Sequence, residues 1–197
     1  NKANKWITNI FSRGRVHLMR STHDCLITTS RTVNCDNSQL TCRINGLIDR
    51  SPSRIILDRF LRVKISSNII KDGEKFKTII FYNHNNKRKI QLLKKFNVKC
   101  YKIDLNKYNN LDLNKSLIKA KKLGFSRILV ESGLKLISEL FKEKLIDEFK
   151  LFISKNSINR NGKGNAKKFL EQSLRNKIFK VEKVNLFGEK LLSYKLK

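Results

Sequence analysis

The chain has 197 residues, a length that fits one domain and can bury a sizeable core. It carries 44 Lys and Arg against 16 Asp and Glu, for a net charge of +28, and 40% of its residues are hydrophobic. No apolar run reaches the roughly 18 residues of a membrane-spanning helix, so we expect no membrane partner. Cys25, Cys35, Cys42 and Cys100 form no CxxC pair, which favours free thiols in a reducing cytoplasm.

The positive charge has two interpretations. A polyanionic partner, either a nucleic acid or a phosphorylated small molecule, would be attracted by it. A compositional bias would also explain it, because Lys, Asn and Ile are abundant while Pro occurs once. The basic residues are spread along the chain rather than gathered in one block, which favours the compositional bias.

The first half of the chain alternates helical and extended patterns. A helix capped by Thr8 or Asn9 is predicted first, then a strand at Cys25–Ser30. A polar, turn-prone stretch at 31–37 and a short extended piece at 40–43 follow. Beyond them we predict strands at 54–58, 78–82 and 98–103 and helices at 86–96 and 113–123.

The stretch from Phe125 to Phe152 predicts a strand, a sharp turn and a helix. The run at 127–130, with Ile128, Leu129 and Val130, gives the strand. Glu131-Ser132-Gly133 breaks it, and apolar residues at helical spacing follow directly. A further strand is predicted at 149–153, then a loop over 156–168 and an antiparallel pair of strands within 179–196. The chain therefore predicts an α/β fold with a mostly parallel sheet and antiparallel C-terminal strands.

Three groups of residues suggest a ligand site, and each also has an ordinary explanation. Glu131 and Gly133 lie where open α/β sheets bind ligands, although an acid at a helix N-terminus is favoured by the helix dipole alone. Thr32 and Asp36 follow a strand, where they would hold a ribose or simply form a turn.

Arginines form the third group, since Arg suits a bidentate grip on phosphate, but most of the basic residues must be solvated surface side chains. His17, His23 and His84 have no ligand partner at suitable spacing, so no catalytic or metal role is predicted for them. The residues alone therefore indicate a ligand site at strand ends and name no reaction.

Taken together and in order, these pieces resemble one family. The segments WIT, LMRSTHDCLITTSRTVNCDNSQLTCR, RIILD and LVESGLKLISELFKEKLIDEFKLFISK resemble the reductase domain of the bifunctional riboflavin-biosynthesis deaminase/reductase. The resemblance covers almost the whole chain. It implies one reductase domain over residues 1–197, without the family's usual first strand or its N-terminal zinc-dependent deaminase domain.

The resemblance also implies a fold and an activity. The fold is a dihydrofolate-reductase-like, three-layer α/β arrangement that binds NADPH, in a cytoplasmic homodimer. The reaction reduces the ribosyl group of 5-amino-6-(5-phosphoribosylamino)uracil, a phosphorylated pyrimidine, to the ribityl group. A hydride passes from the nicotinamide to the sugar C1, so the protein contributes orientation and electrostatics.

The resemblance assigns site residues one by one. Substrate contacts fall on Asn4, Arg20, Leu40, Arg43 and Glu131. Cofactor contacts fall on Trp6, Thr32, Asp36, Arg59, Gly133, Leu134, Lys135, Leu136, Ile137, Ser138 and Glu139. Three positions depart from the family pattern. Asn4 and Arg59 stand where the family often has Ser, and Ser38 stands in place of a Pro.

Two alternatives stay open beside the reductase. One is a basic nucleic-acid-binding module, disfavoured because aromatic residues are only 9% and are mostly Phe in apolar runs. The other is an inactive remnant that keeps the fold alone.

Overall fold

The structure, a computed structural model, describes residues 7–155 and 166–197. The chain divides into two compact units. The parallel-sheet unit is His17–Gly133, and the antiparallel-sheet unit comprises the residues up to Val16 together with Leu134–Lys197. No helix in the described residues is long and apolar enough to cross a membrane.

The parallel-sheet unit is built on five parallel strands in the order β4-β3-β2-β1-β5. In register, Ile27 on β1 pairs with Ile55 on β2 and with Val130 on β5. The elements are α1 (Ile10–Ser21, whose last residues belong to this unit), β1 (Cys25–Thr29), α2 (Ser30–Asp36), β2 (Ser53–Leu57), α3 (Asn68–Lys71), β3 (Thr78–Tyr82), α4 (Lys87–Lys94), β4 (Lys99–Lys102), α5 (Leu113–Lys122) and β5 (Ile128–Val130).

The central strands of this sheet are buried because their sequences are continuous apolar runs. A parallel sheet covered on both faces needs such runs rather than alternation. Ile55 and Ile56 on β2 and Ile79 and Ile80 on β3 are all completely buried. The core of this unit therefore lies around β2 and β3.

Arg54 is the exception within that apolar core, since its side chain is 0% exposed. Its Nη2 lies 2.7 Å from Oδ1 of Asp72, and the guanidinium also donates to the carbonyls of Gln39 (2.9 Å) and Phe76 (2.9 Å) and to Oγ1 of Thr78 (2.6 Å). A buried charge is tolerated only when it is paired and hydrogen-bonded in this way. Through Gln39, Arg54 also supports the segment that leads to Leu40.

The antiparallel-sheet unit has three strands in the order β6-β8-β7. Its strands pair in register with Leu151 opposite Leu192 and Phe179 opposite Tyr194. Phe149 and Phe179 both pack against Tyr194, with ring centroids 6.3 and 5.4 Å away. The elements are α6 (Leu134–Lys142), β6 (Glu148–Ile153), α7 (Lys167–Leu174), β7 (Phe179–Val181) and β8 (Lys190–Lys195).

A buried carboxylate holds the start of α1 in the antiparallel-sheet unit. Glu189, 8% exposed, accepts hydrogen bonds from the Asn9 backbone N–H (2.9 Å) and from the Ser12 hydroxyl. Asn9 in turn accepts from the Ser12 N–H at 2.9 Å, which is an N-cap hydrogen bond. The predicted cap of the first helix is therefore confirmed at Asn9.

Three local predictions were wrong. Residues 31–37, predicted as a turn, lie mostly in α2, because the Thr29 side chain caps the helix by accepting from the Thr32 N–H at 3.3 Å. Residues 40–43, predicted as extended, form no strand, and Leu40 is left-handed with φ 58°. Lys167 and Lys168 begin α7 rather than ending a loop, and residues 156–165 of that predicted loop lie outside the described residues.

Candidate functional site

Site residues follow the carboxyl ends of neighbouring strands in the parallel-sheet unit. Thr32 follows β1, Arg59 follows β2, and Glu131 comes directly after β5. The strands are parallel, so these ends share one edge of the sheet. Glu131 still donates its N–H to the Ile27 carbonyl (3.0 Å), which fixes its backbone to β1. Open α/β sheets bind ligands at this edge.

An ion pair joins α1 to the end of β5. Arg20 donates from Nε to Glu131 Oε1 and from Nη2 to Glu131 Oε2, both at 2.7 Å. The pair is therefore bidentate, the geometry in which guanidinium and carboxylate bind most strongly. The Arg20 side chain is 11% exposed and the Glu131 side chain 23% exposed. Arg20 thus orients Glu131 while part of the carboxylate stays open to solvent.

A second arginine lies beside this pair. Nε and Nη2 of Arg43 lie 3.3 and 3.2 Å from Nε2 of His17, which is one turn of α1 before Arg20. The Thr41 carbonyl lies 3.0 Å from Nη1 of Arg20 and 3.0 Å from Nδ1 of His17. Arg43 is exposed, whereas Arg20 is nearly buried. Arg43 is therefore the arginine of this cluster that a dissolved anion can reach.

The electrostatics of the cluster favour a neutral imidazole. Partial burial and the positive charges of Arg20 and Arg43 lower the pKa of His17 below its ordinary value. The Thr41 carbonyl and the Glu131 carboxylate act in the opposite direction, but less strongly. His17 is thus neutral near pH 7, since even an unperturbed His titrates at about 6.5.

Leu40 reaches the site only through its backbone. Its side chain is 5% exposed and packs in the core with Leu26 and Val33. A ligand contact at Leu40 must therefore involve the peptide groups. Its left-handed backbone, with φ 58°, turns the chain between Gln39 and Thr41. That turn carries the Thr41 carbonyl to Arg20 and His17.

The residues predicted to hold the cofactor in this unit are less closely joined. Thr32 Oγ1 lies 3.1 Å from Thr29 Oγ1, and Asp36 is the exposed last residue of α2. Arg59 stacks on the exposed Phe60 ring at 4.4 Å, and its carbonyl accepts from the His84 N–H at 2.9 Å. Both Thr32 and Arg59 are half-buried at the carboxyl edge.

Asp58, which the sequence did not mark as a site residue, holds two loops of this edge together. Its side chain is almost fully buried. It accepts from the Ser30 hydroxyl at 2.9 Å and from the Val63 N–H at 2.7 Å. These bonds join the start of α2 to the chain after β2, so Asp58 supports the positions of Thr32 and Arg59.

The remaining predicted cofactor residues follow Gly133 in the chain. A Cβ added at Gly133 would meet no atom within 4 Å, and the residue is not in the left-handed region. The absence of a side chain there leaves room for a ligand rather than relieving backbone strain. In α6, Leu136 is buried, Lys135 is exposed, and the others are exposed or half-buried: Leu134, Ile137, Ser138 and Glu139. Leu136 could contact a cofactor only through its backbone.

The structure brings together Arg20, Arg43 and Glu131, and it adds His17. The sequence prediction missed His17 because it looked for Cys or carboxylate partners. The available signal was its spacing of three residues from Arg20, which puts both side chains on one face of α1. Asn4 and Trp6, also predicted as contacts, lie outside the described residues. A groove of about 280 Å³ lies along β4, the edge strand at the other end of the strand order from β5, and none of these residues lines it.

Comparison with known proteins shows a consistent similarity. The sequence model of the family described as "RibD C-terminal domain" matches residues 1–185. The "Riboflavin biosynthesis protein RibD" of Aquifex aeolicus is 29% identical over 152 residues, which cover 77% of this chain and 40% of that protein. The chain thus spans less than half the length of this relative.

Two solved structures show the same fold. That of Acinetobacter baumannii RibD has a TM-score of 0.72 and 24% identity, covering 98% of this chain and 52% of that one. The diaminohydroxyphosphoribosylaminopyrimidine deaminase/5-amino-6-(5-phosphoribosylamino)uracil reductase of Thermotoga maritima has a TM-score of 0.71 and 25% identity, covering 97% and 50%. The predicted dihydrofolate-reductase-like α/β fold is confirmed.

Proposed function

Because the chain belongs to the RibD C-terminal domain family, we propose that it is an NADPH-dependent reductase of riboflavin biosynthesis. It reduces the ribosyl group of 5-amino-6-(5-phosphoribosylamino)uracil to the ribityl group. The observation that carries this proposal is the cluster of Arg20, Arg43 and Glu131 at the carboxyl edge of the parallel sheet. The Thermotoga maritima relative bears the name of this reductase.

The cluster suits a phosphorylated sugar. Arg43 is exposed, and His17 is its only side-chain partner among the described residues. Its guanidinium therefore keeps N–H groups for a phosphate, which it can grip with two parallel hydrogen bonds. Arg20, whose donors already bind Glu131 and Thr41, adds positive potential rather than a free donor pair.

Glu131 supplies acceptors beside that positive charge. Each carboxylate oxygen has a second lone pair after binding Arg20, and the side chain is partly open to solvent. Those lone pairs can accept from ribose hydroxyl or pyrimidine amino groups. Leu40 contributes its peptide groups from the neighbouring turn, and Asn4 is the fifth proposed substrate contact.

NADPH is assigned to the loops after the strands and to the start of α6. The first N–H groups of an α-helix have no partner within the helix, so residues from Leu134 onward suit a pyrophosphate. Space beside Gly133 would let the cofactor approach the backbone. Arg59 offers a cation for the 2′-phosphate, which is the basis for expecting NADPH over NADH. Trp6, Thr32 and Asp36 complete the proposed set.

NADPH, when bound, would supply the hydride for C1 of the ring-opened imine form of the sugar, and the imine nitrogen would take up a proton. The chain's own part is to hold the phosphate end with Arg43 and the sugar with Glu131. Fixing both ends of the substrate converts an encounter in solution into an oriented reaction.

The matched relatives are about twice as long or more, as the covered shares of 40% and 52% show. We propose that the parent protein also carries a zinc-dependent deaminase, and that it works as a homodimer in the cytoplasm. Gel filtration of the parent protein and a deaminase assay with and without a chelator would test these two points.

A nucleic-acid-binding module is the alternative, and the net charge of +28 is the observation that favours it. Such binding would be insensitive to sequence and would weaken steeply with salt. RNA binding at 50 and 200 mM salt, measured beside NADPH binding, separates the two functions. Salt-sensitive RNA binding without any NADPH binding would favour the alternative.

The direct test is oxidation of NADPH by the purified protein, followed at 340 nm with the phosphoribosylaminouracil as substrate and repeated with NADH. We expect turnover with NADPH, and a rise in KM of about tenfold for Arg43→Ala, since a hydrogen bond to a charged group is worth about 1.5–3 kcal/mol. The affinity for NADPH should be unchanged.

Arg50→Ala is the matched control, because Arg50 is an exposed arginine on the nearby 3₁₀ turn Ile48–Arg50. We expect its KM to equal that of the unmodified protein. Failure of the folded protein to oxidise NADPH would refute the reductase assignment, whereas equal KM values for the two variants would remove only Arg43 from the site.

A further inference from the structure

His17 is the residue of the cluster that has no assigned role. Its ring lies between the buried Arg20 and the exposed Arg43, on the same face of α1 as Arg20. Neither the family resemblance nor the comparisons assign it. We propose that His17 is a positioning residue: a neutral imidazole whose Nε2 accepts from Arg43 and holds that guanidinium ready for the substrate's phosphate. This inference rests on the proposed function.

The hydrogen bonds determine which ring nitrogen carries the proton. Nε2 lies 3.3 Å from Nε of Arg43 and 3.2 Å from Nη2, and both of these are donors only, so Nε2 must be the acceptor. In a neutral ring the proton is then on Nδ1, which donates to the Thr41 carbonyl at 3.0 Å. The Arg43 backbone N–H also lies 3.2 Å from Nδ1, and this tautomer leaves it without that acceptor. The opposite tautomer would accept from that N–H, but it would leave the carbonyl facing a lone pair and would direct Nε2–H at the guanidinium.

The same carbonyl is bound from two sides. Thr41 accepts from Nη1 of Arg20 at 3.0 Å and from Nδ1 of His17 at 3.0 Å, which uses both of its lone pairs. Arg20 is fixed by Glu131. The imidazole is therefore oriented by the same group of bonds that fixes Glu131. The oriented ring in turn fixes the Arg43 guanidinium through Nε2.

This arrangement matters because Arg43 is exposed and long. An unrestrained arginine loses rotamer entropy when it is immobilised on a ligand, and this loss weakens binding. His17 holds Nε and Nη2 beforehand, and Nη1 is not used in these contacts. A phosphate then binds a guanidinium that is already oriented, which raises affinity without adding a contact.

Protonation of His17 would undo the arrangement. An imidazolium has no acceptor at Nε2, and it would add a third positive charge beside Arg20 and Arg43, opposed among the described side chains by the Glu131 carboxylate. Burial and the two arginines lower its pKa below 6.5, so His17 stays neutral as the pH falls to that value. The positioning should be lost only as the pH falls further, through the lowered pKa.

Two substitutions separate the two ring nitrogens. His17→Asn places a polar atom near the position of Nδ1, which keeps the bond to Thr41 and removes the acceptor for Arg43. His17→Gln places one near Nε2, which keeps that acceptor. We expect KM for the phosphorylated substrate to rise about three- to tenfold in His17→Asn and to stay within about twofold in His17→Gln, with kcat and the KM for NADPH unchanged in both.

A double-mutant cycle tests the coupling. Because His17 acts through Arg43, His17→Asn should have little further effect on KM once Arg43→Ala is present. KM should rise as the pH falls below the pKa of His17, and this rise should be smaller in His17→Gln than in the unmodified protein. The substrate phosphate also ionises in this range, but its contribution is the same for both proteins and cancels in the ratio of their KM values. Additive effects in the cycle, or equal KM values for Asn and Gln variants, would overturn the proposal.

A measurement without turnover keeps this inference distinct from the reductase assignment. ¹⁵N NMR of the imidazole at pH 7.5 should show a protonated Nδ1 and an unprotonated Nε2, and Arg43→Ala should shift the Nε2 signal. Titration with inorganic phosphate should perturb Arg43 Nε–H in the unmodified protein and in His17→Gln, and less in His17→Asn. A protonated Nε2, or the same phosphate response in all three, would refute the role of His17 even if NADPH is oxidised.

Discussion

Two arginine–carboxylate pairs in the parallel-sheet unit use the same chemistry in different surroundings. Arg54, completely buried, pairs with Asp72 and donates to backbone carbonyls within the core. Arg20 pairs with Glu131 at the carboxyl edge, where the Glu131 side chain is 23% exposed. Removal of the core pair should affect stability, whereas removal of the edge pair should affect ligand binding. Burial, more than the type of pair, separates a structural arginine from a functional one.

The largest expected effect is on the core pair. Arg54→Met leaves Asp72 and the carbonyls of Gln39, Ile69 and Phe76 without their partner, so the free energy of unfolding should fall by about 3–5 kcal/mol. Urea unfolding followed by circular dichroism measures this loss. Lys115→Met is the control, because the pair of Lys115 with Asp104 is exposed on both sides and should be dispensable. A loss below about 1 kcal/mol for Arg54→Met would show that the core pair does not support the fold.

For the edge pair of Arg20 and Glu131, we expect a substitution to reduce activity more than stability. Glu131→Gln keeps the shape of the side chain but removes the charge that binds Arg20 and the acceptors offered to the substrate. We expect kcat/KM to fall about 10- to 100-fold, because charge-assisted hydrogen bonds are worth about 1.5–3 kcal/mol. Steady-state kinetics and urea unfolding on the same sample separate the two effects. A stability loss as large as that of Arg54→Met would mean that Glu131, too, is mainly structural.

The smallest expected effect concerns a single methyl group beside the edge. Gly133→Ala adds a Cβ into space that the protein itself leaves open, so the fold should tolerate it, while the KM for NADPH should rise if the cofactor occupies that space. Gly14→Ala, inside α1, also meets open space and should stabilise the protein by about 0.5–1 kcal/mol. Differential scanning calorimetry and NADPH kinetics compare the two variants. An unchanged KM in Gly133→Ala would remove the residue from the cofactor site.

Buried elements were easier to predict from the sequence than elements that depend on contacts with the rest of the fold. The buried strands were predictable, because runs such as Arg54–Asp58 and Thr78–Tyr82 are apolar and rich in β-branched residues. Helix α2 was not, because Ser, Thr, Asn and Asp favour turns when they stand alone. It forms because Thr29 caps it and Val33 is buried in the core.

Contacts within the site depended on resemblance and on the fold. Arg20, Arg43 and Glu131 were predicted from the family resemblance, and spacing alone could not have joined residues so far apart in the chain. The contact of His17 with Arg43 needs the left-handed turn at Leu40, a conformation that a Leu rarely adopts. Likewise, nothing in the local sequence distinguishes Arg54 from a surface arginine, since its burial is set by the packing of neighbouring elements.

The fate of the transferred hydrogen shows whether the protein is a reductase of this substrate. The protein is incubated with the phosphoribosylaminouracil and NADPH deuterated at the transferable C4 position, and the product is analysed by mass spectrometry and NMR. We expect one deuterium at C1 of a ribityl product, with one NADPH oxidised for each product formed. Oxidation of NADPH without deuterium at C1, or no oxidation by the folded protein, would contradict the reductase assignment.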